Sequence, residues 1–435
     1  MTIRKNHKNA SELTTIVYIS SFIYYFTGIF MVAKVRISEK KTKTFLIFLE
    51  HEYFRRKPKI QKVNENLCIL TFFFYFCMKI SLVMRREPNF EVMRTVAMFF
   101  IIVYHCLTHG VGDGYGFSVH NPVSLSNILF SDFLLVFSSI AVNLYVMVSG
   151  YFLVDLSFKA SRIVRTWTYA CFYSVVITIF LMSLQLVPFS IVALGKSFFP
   201  ISTDAYWFVT QYIGLLILSP FLALLVKQLT YKQYLWLLIG GAFMCLAIIS
   251  DFPLGKRFHV AHGNSVWSFV YLFLVAGFIK HYLKKVSMSW LLAAILFVTL
   301  LTMGCEVFFG YHDDSVSLFW FNYNGLPFIL SVLVFIMIRQ MQMSESGLWI
   351  VLVKLAPYSF GVYLIHDQLM VRGWLWSHVP ITSFCDQWIY LFVVIGLCVL
   401  IFLFCAFVDS IRKRLFAMLG MDKLIAKTDR WSLHL

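Results

Sequence analysis

Arg94 and His105 stand eleven positions apart in one apolar stretch, Arg94-Thr-Val-Ala-Met-Phe-Phe-Ile-Ile-Val-Tyr-His105. That spacing is close to three helical turns, so on a helix both side chains share a face, about 16 Å apart along the axis. Ionisable groups inside a membrane span are costly and are functional candidates by default. An imidazole titrates near neutral pH and suits general-base work. An arginine at the rim of the same face suits clamping an anion. The competing reading of His105 is structural, because intramembrane polar residues also hold helices together. His109, one turn further on, would pair with His105 toward a metal, but such a site needs at least a third ligand. His120, His259, His262 and His312 fall in loops without ligand-like spacing, so no metal site is expected.

Further polar residues interrupt other apolar runs. Arg162 and Arg165 have i, i+3 spacing and share a helix face. Arginine binds phosphate bidentately, and a helix N-terminus adds to the pull on an anion. Inner-rim arginines are also ordinary topological anchors, but Arg94 at the same level would complete a phosphate-binding cluster. Asn143 and Ser149-Gly150 lie in a second run; a packing seam is the simpler account of them. Tyr358-Ser-Phe-Gly361-Val-Tyr363-Leu-Ile-His366-Asp367 offers a small residue and polar tips along one helix. Whether these meet a substrate or satisfy one another is open. The alternating Gly110, Gly112, Gly114 and Gly116 around Asp113 lack the strand–turn–helix context of a nucleotide fingerprint and read as a flexible loop. Glu306, Asp313 and Asp314 read as solvated acids that could face a polar acceptor. Tyr206 and Trp207 read as interfacial anchors.

The elements that must position these residues are membrane spans. The chain of 435 residues is 60% hydrophobic and 13% charged, with 46 Phe and a net charge of +16. Recurring runs of about 20 apolar residues identify an all-α, polytopic membrane helix bundle. The basic excess fits loops held by anionic lipid rather than nucleic acid. The nine scattered Cys include no CxxC and imply no disulfide framework. From residue 85 onward about ten spans are expected: 90–110, 130–152, 163–186, 205–226, 234–250, 265–283, 288–309, 319–338, 356–376 and 387–409. Starting the first span inside puts sixteen Lys and Arg on the inner side and only Lys196, Lys256 and Arg257 outside. By the positive-inside rule both ends of the ten-span unit (85–411) then face the cytoplasm, and 412–435 forms a basic cytoplasmic tail. Residues 1–84 fit poorly: two apolar runs, 14–33 and 67–83, flank a basic stretch. They stand as an N-terminal extension, with a native start at Met84 as a further expectation.

With these residues in hand, the chain resembles the acyltransferase-3 family of integral membrane acyltransferases over about residues 88–410. The resemblance rests on Arg94 and His105 in the first span and Arg162-x-x-Arg165 at the start of the third. Ser149-Gly150-Tyr-Phe-Leu153 and Gly361-Val-Tyr-Leu-Ile-His366 add softer matches in the same order. It implies transfer of an acyl group, most often acetyl from acetyl-CoA, to a hydroxyl of a carbohydrate or glycolipid in the cell envelope. It implies that His105 is the essential histidine, acting as base or as acyl carrier, and that Arg94, Arg162 and Arg165 serve the donor. Asn143, Ser149, Tyr363 and His366 are the expected supporting or acceptor-side residues. Acyl-CoA is a co-substrate, and no bound cofactor is implied. The rival class, a transporter or flippase for an envelope sugar or lipid-linked glycan, shares the bundle, the intramembrane histidine and the basic rim. Many transporters show inverted repeats or paired broken helices, and neither is evident here.

Overall fold

A computed structural model describes residues 87–112, 124–246, 263–310, 325–343 and 347–431, without the side chains of 306–310 and 431. The chain divides into Met1–Val83 and Met84–Leu435, and all that follows concerns the second unit. The N-terminal extension and its proposed start at Met84 lie outside the described residues. So do Asp113, Gly114, Gly116, His120, Lys256, Arg257, His259, His262, His312, Asp313, Asp314 and the side chain of Glu306.

Among the described residues every regular element is helical. The first is α1, Pro88–His105, which continues as a wide turn over Cys106–Val111. Pro88 sits in its first turn, where the missing N–H costs nothing. Next come α2 (Leu125–Ser139) and α3 (Ala141–Leu153), joined at Ile140, then α4 (Ala160–Ser183) and the short α5 (Ile191–Ser197). They are followed by α6 (Trp207–Gln228), α7 (Tyr231–Cys245), α8 (Val266–Tyr282), α9 (Met288–Gly310) and α10 (Leu326–Gln340). The last group is α11 (Leu348–Leu355), α12 (Ser359–His366), α13 (Leu369–His378), α14 (Tyr390–Met418) and α15 (Met421–Ala426).

Among the described residues each of the ten expected segments contains helix, which makes this a multi-pass membrane bundle. Helices satisfy their own backbone groups, as an apolar solvent demands. Seven are long and apolar enough to cross a bilayer, with α2–α3 and α11–α12 each counting as one run; α8 and α10 are shorter apolar helices. The segment expected at 356–376 is differently bounded: the helical run starts at Leu348 and stops at His366. It stops because the Gln368 side chain turns back to accept from the backbone N–H groups of Met370 and Val371, which starts α13 afresh. Helix α14 extends to Met418 and carries Asp409 and Arg412 buried within it.

Helix α1 lies at the centre, packed on α2, α3, α11, α12 and α14. The apolar windows of α1 and α2–α3 are 72% and 83% buried, against 28% for α9 and 33% for α14. The outer helices turn residues such as Phe297, Leu300, Phe404 and Phe407 outward, as a lipid-facing surface requires. At Gly150 helix α3 presses against α8 so closely that a Cβ there would come within 2.8 Å of the Phe273 Cα.

Candidate active site

Helix α1 and the α11–α12 run start at the same end of the bundle. Thr95 Oγ1 donates to the Leu352 carbonyl at 2.7 Å, and further along His105 Nδ1 lies 3.1 Å from His366 Nε2. Both histidines are buried. His366 Nδ1 lies 2.7 Å from the Val362 carbonyl. A carbonyl can only accept, so this nitrogen carries the proton, and in a neutral ring Nε2 must accept. His105 Nδ1 therefore donates to it, and the lone pair of neutral His105 is left on Nε2. Two hydrogen bonds thus select the tautomer of the central histidine.

The helix break after His366 places Asp367 beside this pair. Its Oδ1 lies 3.5 Å from His105 Nδ1 and 3.2 Å from Arg372 Nη1. Asp367 is buried while the Arg372 side chain reaches a partly exposed position. The carboxylate is therefore placed to stabilise positive charge on His105, and Arg372 holds the carboxylate. Among the described residues no group of three His, Cys, Asp or Glu is arranged to hold a metal ion.

Arg94, Met98, Ile101 and His105 form one stripe along α1, at i, i+4, i+7 and i+11. Met98, Ile101 and His105 line a narrow cleft. Its other walls include Tyr104, Tyr145, Trp207, Phe208, Phe360 and Tyr363. The cleft thus follows the face that links the arginine to the histidine.

At the arginine end, Arg94 pairs with Glu91 on its own helix and sits 5.8 Å from the Phe152 ring centre. Arg162 donates to the Ser157 carbonyl at 2.8 Å. The Tyr212 hydroxyl donates to Ser149 Oγ at 3.1 Å. Arg165 is exposed, with its Nε 4.0 Å from Asp422. Asn143 stands apart, 3.4 Å from Ser331 Oγ, beside a separate small cavity lined by Tyr271 and Phe328. At the same end Lys280 and His281 of α8 hold Asp155, at 2.7 and 3.0 Å. Partial burial opposes charge on Asp155, but the hydrogen bonds from Lys280 and His281 outweigh it and keep the carboxyl below its usual range.

Sequence reasoning singled out His105, His366 and Tyr363, and the structure gathers them at one end of the cleft. It placed Asp367 beside His366 in one polar motif with its role left open, and did not reach Arg372, Glu91, Tyr145 or Tyr212. An arginine inside an apolar run was a usable signal for Arg372. The tyrosines gave none, because a tyrosine in a span reads as an aromatic. A family model described as an acyltransferase domain, that of the acyltransferase-3 family, matches residues 87–408. No curated protein and no solved structure matches the chain.

Proposed function

Because the chain belongs to the acyltransferase-3 family, we propose that it transfers an acyl group, acetyl by preference, from acyl-CoA to a hydroxyl of an envelope or extracellular carbohydrate. The observation that carries this reading is the His366–His105–Asp367 arrangement at the far end of a cleft that begins one turn from Arg94. The phosphates of the donor lie at the cytoplasmic rim against Arg94 and Arg162, with Arg165 as an outlying charge. The pantetheine arm runs along Met98 and Ile101 and brings the thioester to His105.

His105 Nε2 then takes the proton of the acceptor hydroxyl. The oxygen attacks the thioester carbonyl carbon, the tetrahedral intermediate expels the CoA thiolate, and the imidazolium returns its proton to that thiolate. Asp367 offsets the transient positive charge on His105, the part an orienting carboxylate plays beside a catalytic histidine. In a two-step variant His105 carries the acyl group first, and trapping an acyl-histidine distinguishes the two.

The test uses membranes containing the full chain and radiolabelled acetyl-CoA. Wild type labels the glycan fraction. A general base contributes roughly 10²- to 10⁴-fold, so His105→Gln lowers kcat by that range while binding of CoA persists. Undiminished labelling by His105→Gln would overturn the assignment.

A further inference from the structure

A charged cluster that the proposed chemistry does not use lies in the core of the bundle. Asp409 of α14 is fully buried and Arg412 nearly so. Arg412 donates to both carboxylate oxygens, Nε to Oδ1 at 2.7 Å and Nη2 to Oδ2 at 3.1 Å. The Tyr173 hydroxyl, on α4, donates to Oδ1 at 2.7 Å. The guanidinium lies 3.9 Å from the centre of the Tyr169 ring, also on α4, and its Nη1 is buried with no hydrogen-bond partner. A charge pair inside a span is costly to keep and marks function by default. Its stabilising value is weak evidence for its presence, because apolar residues of similar volume often serve stability as well.

What the pair touches gives it a role. The Asp409 carboxyl abuts the backbone of α12 at Gly361, where even a single added carbon would collide with it. Phe360 and Tyr363, on either side of Gly361, line the cleft, and His366 lies five residues on. On α4, Arg162, Thr166, Tyr169 and Tyr173 fall on one stripe at i, i+4, i+7 and i+11. The Asp409–Arg412 pair is therefore where the helix that begins at the donor arginines is fastened to the helix that ends at His366.

We propose that Asp409, held by Arg412 and Tyr173, is the positioning residue for His366. Its carboxyl, seated against Gly361, sets the placement of α12 at which His366 Nε2 meets His105 Nδ1. Only a glycine at 361 permits this seat, which explains the small residue in that motif. The inference rests on the acyl-transfer reading, since what it positions is the partner of the proposed base.

The test is a mutant cycle with His366, read as labelling from radiolabelled acetyl-CoA in native membranes. Asp409→Leu with Arg412→Met replaces the pair by apolar residues and leaves no unpaired buried charge. A displacement of about 1 Å at a reacting group can cost on the order of 10²-fold. The double variant is expected to lower kcat by about ten- to a hundredfold while KM for acetyl-CoA stays within about twofold. In that background His366→Gln should cost little more, because contacts that act as a unit are not additive. Gly361→Ala keeps the charge pair, pushes α12 off its seat, and should reproduce the loss in kcat. Wild-type kcat in either variant, or a full and additive further loss from His366→Gln, would overturn the proposal. If wild-type membranes show no His105-dependent labelling at all, the acyl-transfer reading itself has failed, a distinct result.

Discussion

At the scale of single residues, the three arginines proposed to hold the donor are not equivalent. Arg162 is partly buried and donates to the Ser157 carbonyl at 2.8 Å. Arg165 is exposed and drawn toward Asp422, and an exposed ion pair is worth about 1 kcal/mol or less. A hydrogen bond to a charged group is worth about 1.5–3 kcal/mol, roughly ten- to a hundredfold in affinity. Arg162→Gln should therefore raise KM for acetyl-CoA by about ten- to a hundredfold, and Arg165→Gln by about threefold or less. Steady-state kinetics at varied acetyl-CoA check this, and equal effects would contradict the geometry. The difference was invisible in the sequence, where the two form one symmetrical motif. Arg94 and His105 were legible because ionisable residues inside apolar runs are rare. The role of Asp367 was not, because its contact with His105 joins positions 262 residues apart and arises only when α12 packs on α1.

At the scale of elements, the periodicity of the chain located the helices, but the places where they break were harder to read. The run read as 356–376 stops at His366 because the Gln368 side chain caps the helix that follows, and a lone glutamine is a weak cap signal. That break matters, since it puts Asp367 at the site. The close approach expected of Ser149-Gly150 is realised where α3 meets α8. Just beyond that seam Asp155 ties the two helices at their ends through Lys280 and His281. Because its folded carboxyl is held below the usual range, Asp155 adds stability at pH values above the unfolded value of about 4 and loses it as pH falls through the folded value. In detergent, wild type should melt slightly above Asp155→Asn near neutral pH, and the gap should close below about pH 4. Since Asp155 is 43% exposed, the gap is small and shrinks with salt. A gap that widens in acid would reverse the assigned sign.

At the scale of the whole molecule, the distribution of charge and the course of the cleft point to one arrangement. In the proposed orientation, which the positive-inside rule favours, the start of α1 faces the cytoplasm and the proposed donor arginines stand at that end. His105 is about 16 Å along the axis from Arg94, past the middle of a hydrocarbon core about 30 Å thick. A donor with several phosphates does not cross a bilayer, yet its extended arm can reach that depth from the inner rim. The acceptor then needs to enter only the outer half. Inside-out vesicles supplied externally with radiolabelled acetyl-CoA should therefore carry out transfer, whereas sealed right-side-out vesicles should not until they are permeabilised. Equal labelling of both sealed preparations would mean that the donor reaches His105 from the opposite face. The stripe from Arg94 to His105 would then be a packing seam rather than the route of the acyl group.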